Sequence, residues 1–295
     1  MDLSLTRIVG LWVSRRAEPE PQALAAVRDR APAVVVTGAS RGIGRALAFR
    51  FARAGHDIVL VARNSAPLEE AAHALVRATG VRAVPLALDI TAVDAAERLD
   101  AGLEAAGLYA DILVNNAGIG LAGPFTDQTS AEIESLLALN ISAATRLMRH
   151  VLPSMLFRAR GGVLNVASLG GLVPGPYQAV YYASKAYVIS LTEAVAHEVR
   201  GRGVRIAVVA PGPVDTTFHA AMQAESALYR AVVPAMSADA VAASAYRGYA
   251  LARTRIVPGV LTALCALAVK ILPHAVTVPL VSALLAVSGR SQQRN

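Results

Sequence analysis

The sequence predicts an α/β fold in which helices cover both faces of a doubly wound parallel sheet. Short runs of apolar and β-branched residues alternate with alanine- and leucine-rich stretches of helical length. The runs are apolar on both faces, which is typical of parallel strands buried between two layers of helices. No fixed-period repeat is visible, so a solenoid is excluded. We therefore expect a three-layer αβα domain.

The elements follow one another in a regular order along the chain. We predict strands over residues 33–37, 57–62, 82–88, 111–115, 162–168 and 204–210. The stretches between them predict helices that include Gly42–Ala54, Ala66–Thr79, Ala131–Phe157 and Tyr177–Arg200. This pattern divides the chain into an N-terminal extension (1–32), one catalytic domain (33–257) and an apolar helical C-terminal tail (258–295).

Composition excludes several classes of protein. Hydrophobic residues make up 55% of the 295 residues and charged residues 17%, which indicates a packed globule. The net charge of +7 comes from scattered arginines without interleaved aromatic residues, so we expect no nucleic-acid partner. The single cysteine, Cys265, excludes an internal disulfide, and we expect no metal site. The apolar piece Ile8–Val13 is too short for a secretion signal, which makes the cytoplasm the expected compartment.

The tail has an unusual composition. Ile256–Gly289 is almost entirely apolar, but Lys270 and three prolines divide it into pieces shorter than a membrane span. We expect buried helices, or a hydrophobic patch that a partner subunit covers. Peripheral attachment to a membrane is the alternative, because arginines flank both ends of the stretch.

The first predicted strand runs into the sequence TGASRGIG, which predicts a nucleotide site. Glycines permit a tight turn and a close approach of the backbone to a pyrophosphate, and the following helix offers free N–H groups. Such a cluster alone is a weak signal, but its position after the first strand strengthens it. The cofactor-binding candidates in this turn are Gly38, Ser40, Arg41, Gly42, Ile43 and Gly44.

The end of the second strand, VARN, bears on the choice of cofactor. Enzymes that select NAD usually place a carboxylate there for the ribose 2′-hydroxyl, and this chain has no acid before Glu69. Arg63 and Arg41 could instead bind a 2′-phosphate through two hydrogen bonds each. Solvated surface arginines are the alternative interpretation. We favour NADP(H), with NAD(H) as the second possibility.

Four motifs together resemble the short-chain dehydrogenase/reductase family, in its single-domain branch. They are TGASRGIG, NNAG (Asn115–Gly118), YYASK (Tyr181–Lys185) and PGPVDT (Pro211–Thr216), in the order typical of that family. The similarity extends from about Ala33 to Arg255 and implies a Rossmann-like fold. It also implies a catalytic tetrad of Asn140, Ser168, Tyr181 and Lys185, in which the asparagine acts through water.

The same resemblance implies further cofactor contacts. Asp89 and Ile90 match the segment that contacts adenine, and the NNAG motif matches the segment on the adenosine side. The Pro-Gly turn and Thr216 match the segment that holds the nicotinamide and its carboxamide. The implied contacts, besides Tyr181 and Lys185, are Asp89, Ile90, Asn116, Ala117, Gly118, Pro211, Gly212, Val214 and Thr216.

Chemistry supports these assignments. A carbonyl reductase needs a hydride donor and a proton donor, and a phenol with a lowered pKa is a suitable proton donor. Lys185 lies one helical turn from both Tyr181 and Tyr182, so spacing alone selects neither. The thirteen residues from Ser168 and the family motif select Tyr181, and Tyr182 is expected to pack. Each residue alone could be an ordinary capping or surface residue; their joint occurrence makes that improbable.

We therefore expect an NADP(H)-dependent oxidoreductase that interconverts a carbonyl and a secondary alcohol on a hydrophobic small molecule. Two alternatives are a non-catalytic nucleotide-binding scaffold and a nucleotide-sugar epimerase or dehydratase. The resemblance also implies a homodimer or homotetramer that pairs through Ala131–Phe157 and Tyr177–Arg200. His219 and Met222 fall in the segment that commonly forms a lid over the substrate.

Overall fold

The computed structural model describes residues 18–216, 218 and 234–285. His219, Met222 and the extension up to residue 17 lie outside the described residues. Nine strands are present in the described part: β1 (Ala31–Thr37), β2 (Asp57–Ala62), β3 (Ala83–Ala87), β4 (Leu108–Asn115), β5 (Gly161–Val166), β6 (Val204–Val209), β7 (Val214–Asp215), β8 (Met236–Ser237) and β9 (Arg255–Ile256).

Seven of these strands form one sheet in the order β3-β2-β1-β4-β5-β6-β9, and every pairing in it is parallel. Strands β7 and β8 make a separate two-stranded pairing. The order runs outward in both directions from β1 and β4, which is the doubly wound arrangement. The predicted Rossmann-like fold class is therefore confirmed, and β9 is a short edge strand that the sequence did not predict.

Ten α-helices are present in the described residues, one before β1 and the others between or after the strands. They are α1 (Pro21–Ala25), α2 (Gly42–Ala52), α3 (Ser65–Thr79), α4 (Ala95–Ala105), α5 (Ser130–Leu137), α6 (Ala144–Phe157), α7 (Ala179–Glu198), α8 (Ala238–Ala250), α9 (Val260–Ile271) and α10 (His274–Leu285). The predicted helix over Ala131–Phe157 is helical throughout, but it is not α-helical along its whole length. A π-helical turn, Ala138–Ala143, separates α5 from α6.

The core lies on both faces of the sheet. Alternate residues of a strand point to opposite faces, and β1 has an apolar residue at each of these positions. Val34 and Val36 pack with Leu47 and Phe51 of α2 in one cluster. Val35 packs in a second cluster, which contains residues of α4 and α6. Because the strands are buried on both faces, they are continuous apolar runs in the sequence.

The tail differs from its expected packing. Helices α9 and α10 do form, but several of their large apolar side chains are exposed, among them Val260, Leu264 and Ile271. The expectation that the tail helices are buried within the fold is therefore wrong for their outward faces. Within residues 18–216, 218 and 234–285, no helix is both long and apolar enough to cross a membrane.

A chain of buried amides crosses the sheet beneath its carboxyl edge. The Nδ2 of Asn115 donates to Oδ1 of Asn165 at 3.0 Å, and Nδ2 of Asn165 donates to Oγ1 of Thr192 at 2.8 Å. Asn165 is 3% exposed and Thr192 is fully buried. Because Thr192 belongs to α7, these bonds connect β4 and β5 to that helix. Buried polar groups need such partners to offset their desolvation.

We predict that Thr192→Val lowers the free energy of unfolding by about 1–3 kcal/mol, because it removes the oxygen that accepts from Asn165 in a buried site. Urea denaturation of the purified protein measures this change. Thr126→Val, which removes an exposed hydroxyl bonded to Asp127, is the control and should change stability little. Equal effects of the two substitutions would contradict a stabilising role for the buried chain.

Candidate active site

The motif residues lie together at the carboxyl edge of the sheet. The glycine turn follows β1, the NNAG segment follows β4, Ser168 follows β5 and the Pro-Gly turn follows β6. These strands are neighbours in the sheet, so their ends meet where the strand order reverses. In open α/β sheets this reversal is where ligands bind.

The glycine turn has the geometry that its sequence requires. Gly38 and Gly42 adopt positive φ angles of 64° and 57°, which other residues rarely adopt. A Cβ on Gly44 would lie 2.3 Å from the carbonyl oxygen of Gly38, so only glycine fits there. Helix α2 begins at Gly42 without a side-chain cap from Arg41. Its first N–H groups are therefore available to an anion.

The NNAG segment is bonded directly to the glycine turn. The Thr37 hydroxyl oxygen accepts from the backbone N–H groups of Asn116 and Ala117 at 3.0 and 3.1 Å. The Asn116 side chain donates back to the carbonyl oxygens of Thr37 and Gly38. The amide nitrogen of Asn116 is thus used in shaping the turn. Thr37 was not among the predicted residues, although it is the first letter of the motif.

Two of the residues predicted to lie around the adenosine, Asp89 and Arg63, are near each other. Asp89 is exposed, accepts from the N–H and hydroxyl of Thr91, and has a pKa below the usual range because of these bonds. The positive charge of Arg63 lowers that pKa further, which places Arg63 near Asp89. Ile90 is 6% exposed and packs in the core, as Ile43 does in part. These two side chains therefore contribute to the packing of the core.

Arg41 and Arg63 are both exposed. Neither guanidinium has a hydrogen bond or an ion pair among the residues that the structure describes, whereas Arg82 and Arg255 are paired with acids. Ser40 lies between Gly38 and Arg41 in the turn and is half-buried.

Asn140 lies in the π-helical turn and is 1% exposed. Its Oδ1 accepts from the N–H of Ile119 at 2.9 Å, and its Nδ2 donates to the carbonyl of Ile119 at 2.8 Å. The Nδ2 also donates to the Ser184 hydroxyl at 3.1 Å. The asparagine thereby fixes the backbone after Gly118 to helix α7. Sequence reasoning did not identify Ser184 or Ile119, because neither belongs to a motif.

Ser168 lies beside Tyr181, close enough for its hydroxyl to lower the pKa of the phenol. Ser168 follows β5 and begins a 3-10 turn (Leu169–Leu172), where its Oγ accepts from the N–H of Gly170 at 3.1 Å. Burial raises the pKa of Tyr181 to about 12, and the Ser168 hydroxyl offsets only part of that effect. The expected lowering of this pKa is therefore not produced by the protein's own side chains. The phenol is held in its protonated form.

Lys185 lies beside the tyrosine and is 5% exposed. Its Nζ donates to the carbonyl of Val166 at 3.0 Å and is 5.8 Å from the centroid of the Tyr181 ring. Burial lowers the pKa of Lys185 to about 8, so the ammonium form predominates at pH 7. A Cβ on Gly118 would lie 3.1 Å from Asn140 Oδ1 and 3.4 Å from this Nζ, so the glycine lies beside both side chains.

Tyr182 packs as the sequence suggests. Its ring lies against the backbone of Gly170 and Gly175, where an added Cβ would come within 3.0 Å of ring atoms. It is 7% exposed, and its ring makes a T-shaped contact with Tyr181. Of the two tyrosines, Tyr181 is the one whose pKa the Ser168 hydroxyl lowers.

The Pro-Gly segment closes the far side of the site. Pro211 and Gly212 follow β6, and the Pro211 carbonyl accepts from the N–H of Leu169 at 2.8 Å. Val214 is buried in β7. Thr216 comes next to Gly42, since a Cβ on that glycine would lie 3.4 Å from its methyl carbon. The segment is thereby tied to both the 3-10 turn and the glycine turn.

An apolar cluster, which the motifs did not predict, surrounds Tyr181. It contains Tyr182, Leu136 of α5 and Leu285 of α10 as buried members. Its partly buried members are Ile119, Leu121, Val173, Val180, Phe218 and Val281. The tail helix α10 thus contributes to the wall of the site. Only tertiary packing brings residue 285 to residue 181, so no local sequence signal could have shown it.

These features fit a dinucleotide cofactor. The glycine turn gives close backbone approach, the start of α2 gives free N–H donors, and Lys185 gives a buried cation beside Gly118. The residues that would hold the cofactor are those at the ends of β1, β4 and β6.

Comparison with known proteins agrees with this geometry. Residues 32–227 match the family model for short chain dehydrogenases. The chain is 38% identical over 184 residues to the ketoacyl reductase HetN of Nostoc sp., which covers 62% of this chain and 64% of the relative. It is 34% identical over 174 residues to a very-long-chain 3-oxoacyl-CoA reductase of Laccaria bicolor, covering 58% of this chain and 52% of the relative.

A solved short-chain dehydrogenase from Sphingobium yanoikuyae in complex with NADPH has a TM-score of 0.72 and 30% identity, over 90% of this chain and 99% of that one. The chain therefore belongs to the short-chain dehydrogenase family, whose members are nicotinamide-dependent oxidoreductases. It spans between about half and two thirds of the length of the two curated relatives.

We predict that the affinity for NADPH falls as pH rises through about 8, because Lys185 loses its proton there while Tyr181 keeps its own up to about 12. A neutral amine binds ribose hydroxyls and phosphate charge more weakly than an ammonium does. Fluorescence titration between pH 7 and pH 10 measures the dissociation constant. Lys185→Met should bind more weakly at pH 7 and lose this pH dependence. If the dissociation constant of that variant still rises with pH in the same way, a group other than Lys185 causes the pH dependence.

Proposed function

We propose that this chain is an NADP(H)-dependent oxidoreductase that interconverts a hydrophobic carbonyl compound and its secondary alcohol. The observation that carries the proposal is the buried ammonium of Lys185, 5.8 Å from the ring centroid of Tyr181, with Ser168 beside that tyrosine. This arrangement supplies a proton donor, a hydrogen-bond donor and a cation at one point. Carbonyl reduction needs these groups, because charge develops on the carbonyl oxygen as hydride arrives.

In reduction, Tyr181 donates its phenolic proton to the developing alkoxide. A pKa of about 12 keeps that proton in place at neutral pH, and the nearby ammonium of Lys185 stabilises the phenolate that remains. The hydroxyl of Ser168 donates to the substrate oxygen as negative charge appears on it. The bound nicotinamide supplies the hydride.

Lys185 and Asn140 have distinct parts in this proposal. Lys185 binds the ribose hydroxyls of the cofactor and stabilises the phenolate, which explains why it must be compact and charged. Asn140 is a positioning residue, because both of its amide atoms are bonded to Ile119. It holds the backbone after Gly118 next to Lys185 Nζ. Completion of the tetrad through water is the role that the family resemblance implies for it.

The apolar cluster around Tyr181 supports a hydrophobic substrate. The ring of Phe218 is 5.8 Å from that of Tyr181, and Leu121, Val173 and Leu285 belong to the same cluster. Such a wall favours an apolar body next to the reacting carbonyl. The relatives named ketoacyl reductase and very-long-chain 3-oxoacyl-CoA reductase agree with an acyl chain as that body.

The two exposed arginines support NADP(H) over NAD(H). Arg41 lies at the start of α2, Arg63 directly follows β2, and the sequence places no carboxylate next to Arg63. A guanidinium forms strong paired hydrogen bonds with phosphate, and an NAD ribose would offer it only hydroxyls.

We predict that Tyr181→Phe lowers turnover by about 10²–10⁴-fold, the usual contribution of a general acid. The dissociation constant of NADPH should stay close to the wild-type value, because the ring remains. NADPH oxidation with a panel of apolar ketones and 3-oxoacyl thioesters measures turnover.

The matched control is Tyr182→Phe, which also removes one phenolic oxygen from a buried ring of the same helix and should retain most of its turnover. Near-normal turnover in Tyr181→Phe would overturn the proposed acid. Absence of NADPH oxidation by the wild type across the panel would overturn the reaction class.

We predict that Arg41→Ala with Arg63→Ala raises KM for NADPH by about tenfold or more, since a hydrogen bond to a charged group contributes about 1.5–3 kcal/mol. KM for NADH should change little, because NADH lacks the 2′-phosphate. Steady-state kinetics with both cofactors separate these effects. An equal loss with NADH would show that the arginines bind the pyrophosphate or shape the turn instead.

A further inference from the structure

Helix α9 exposes its apolar face to solvent. Val260, Leu264, Leu267 and Ile271 follow a spacing of four, three and four residues, which places them in one stripe along the helix. Their side chains are 80%, 57%, 55% and 70% exposed. Across the part of the chain that the structure describes, eight of the seventeen exposed large apolar residues lie between Val260 and Leu280. Apolar exposure is therefore concentrated on the tail.

The inward face of the tail has the opposite character. Thr262 of α9 is 3% exposed and Thr277 of α10 is 1% exposed. The Thr277 hydroxyl has no hydrogen-bond partner among the described residues. Two threonines thus point inward beside Leu285, while most of the large apolar side chains of the tail point outward. A helix in contact with water shows the reverse pattern, so an apolar medium or surface is the expected neighbour of this face.

The charge of the same region indicates which kind of apolar surface would bind it. After Asp239 the remaining 56 residues (295 − 239) contain no aspartate or glutamate. They contain six basic residues: Arg247, Arg253, Arg255, Lys270, Arg290 and Arg294. Of these, Arg255 is paired with Glu193, whereas Lys270 is exposed in the last turn of α9. A second copy of this face would bring like charges together, but an anionic surface would be attracted.

We propose that the outward face of α9 and α10, defined by Val260, Leu264, Leu267, Ile271, Val276 and Leu280, docks onto a bilayer that contains anionic phospholipid. Each helix has 12 residues and is therefore about 18 Å long, less than the thickness of the hydrocarbon core. The two helices lie in the interface, with their apolar side chains in the acyl region and Lys270 among the headgroups. The docking does not depend on the proposed function.

The docked face lies next to the candidate active site. Helix α9 packs against the 3-10 turn that follows Ser168. On α10, Leu285 and Val281 belong to the apolar cluster around Tyr181. One pair of helices therefore separates the bilayer from the reacting groups. Given the proposed function, a substrate dissolved in the membrane would have a short apolar path to the site.

Co-sedimentation of the full chain with vesicles tests the docking. We expect the wild type to bind vesicles of phosphatidylcholine with added phosphatidylglycerol, and to bind pure phosphatidylcholine vesicles less. Leu264→Ser with Leu267→Ser should lower the partition coefficient at least tenfold, which corresponds to about 1.4 kcal/mol. The matched control, Val76→Ser with Val93→Ser, removes two exposed valines outside the tail and should bind as the wild type does.

The charge contribution has its own variant. Lys270→Glu should weaken binding to the anionic vesicles and leave the weaker binding to neutral vesicles unchanged. Circular dichroism and NADPH binding show that each variant is folded. Surface substitutions of this kind usually change stability little.

Two results would overturn the proposal. One is wild-type protein that stays in the supernatant with anionic vesicles. The other is an oligomer, seen by light scattering, that the Leu264→Ser and Leu267→Ser variant dissociates while vesicle binding is unchanged. That second result would assign the face to a second copy of the chain. Neither result affects the outcome expected for Tyr181→Phe, so the docking proposal and the proposed function can be overturned independently.

Discussion

The buried ammonium of Lys185 is the constraint on which the candidate site depends. A charge that is 5% exposed costs much free energy unless polar groups surround it. The Val166 carbonyl accepts from it, Gly118 lies next to its Nζ, and Gly171 packs against the backbone of Lys185. Tyr181 lies within reach of the same charge. The strand ends, the glycines and the helix are thus all arranged around one cation.

Fixed polar bonds hold the elements that carry these groups. Asn140 bonds the segment after β4 to α7 through Ile119 and Ser184. Deeper in the sheet, Asn115 and Asn165 connect β4 and β5 to Thr192 of the same helix. The π-helical turn contributes as well, because the Ala144 carbonyl at its end accepts from Asn115. Helix α7 is therefore tied to the sheet at two levels, which fixes Tyr181 and Lys185 relative to the strand ends.

The tail combines two tasks in one pair of helices. Its inner side completes the apolar wall around Tyr181, and its outer side presents large apolar side chains and Lys270. An apolar helix that faces water on one side is costly unless something covers it. The proposed bilayer contact removes that cost and places the site close to a reservoir of apolar molecules. The family model matches residues 32–227, so the tail lies beyond the part that defines the family.

The sequence by itself determined the sheet, its strands to within a few residues and the positions of the motif residues, because two-sided burial and glycine turns leave strong local patterns. It did not determine the π-helical turn, the edge strand β9 or the contact of Leu285 with the Tyr181 cluster. Each of these depends on which distant residues come together, and no periodicity records that. The pKa of Tyr181 belongs to the same group. This pKa is raised because the effect of burial is larger than that of the Ser168 hydroxyl. Only the tertiary structure decides how much solvent the phenol loses.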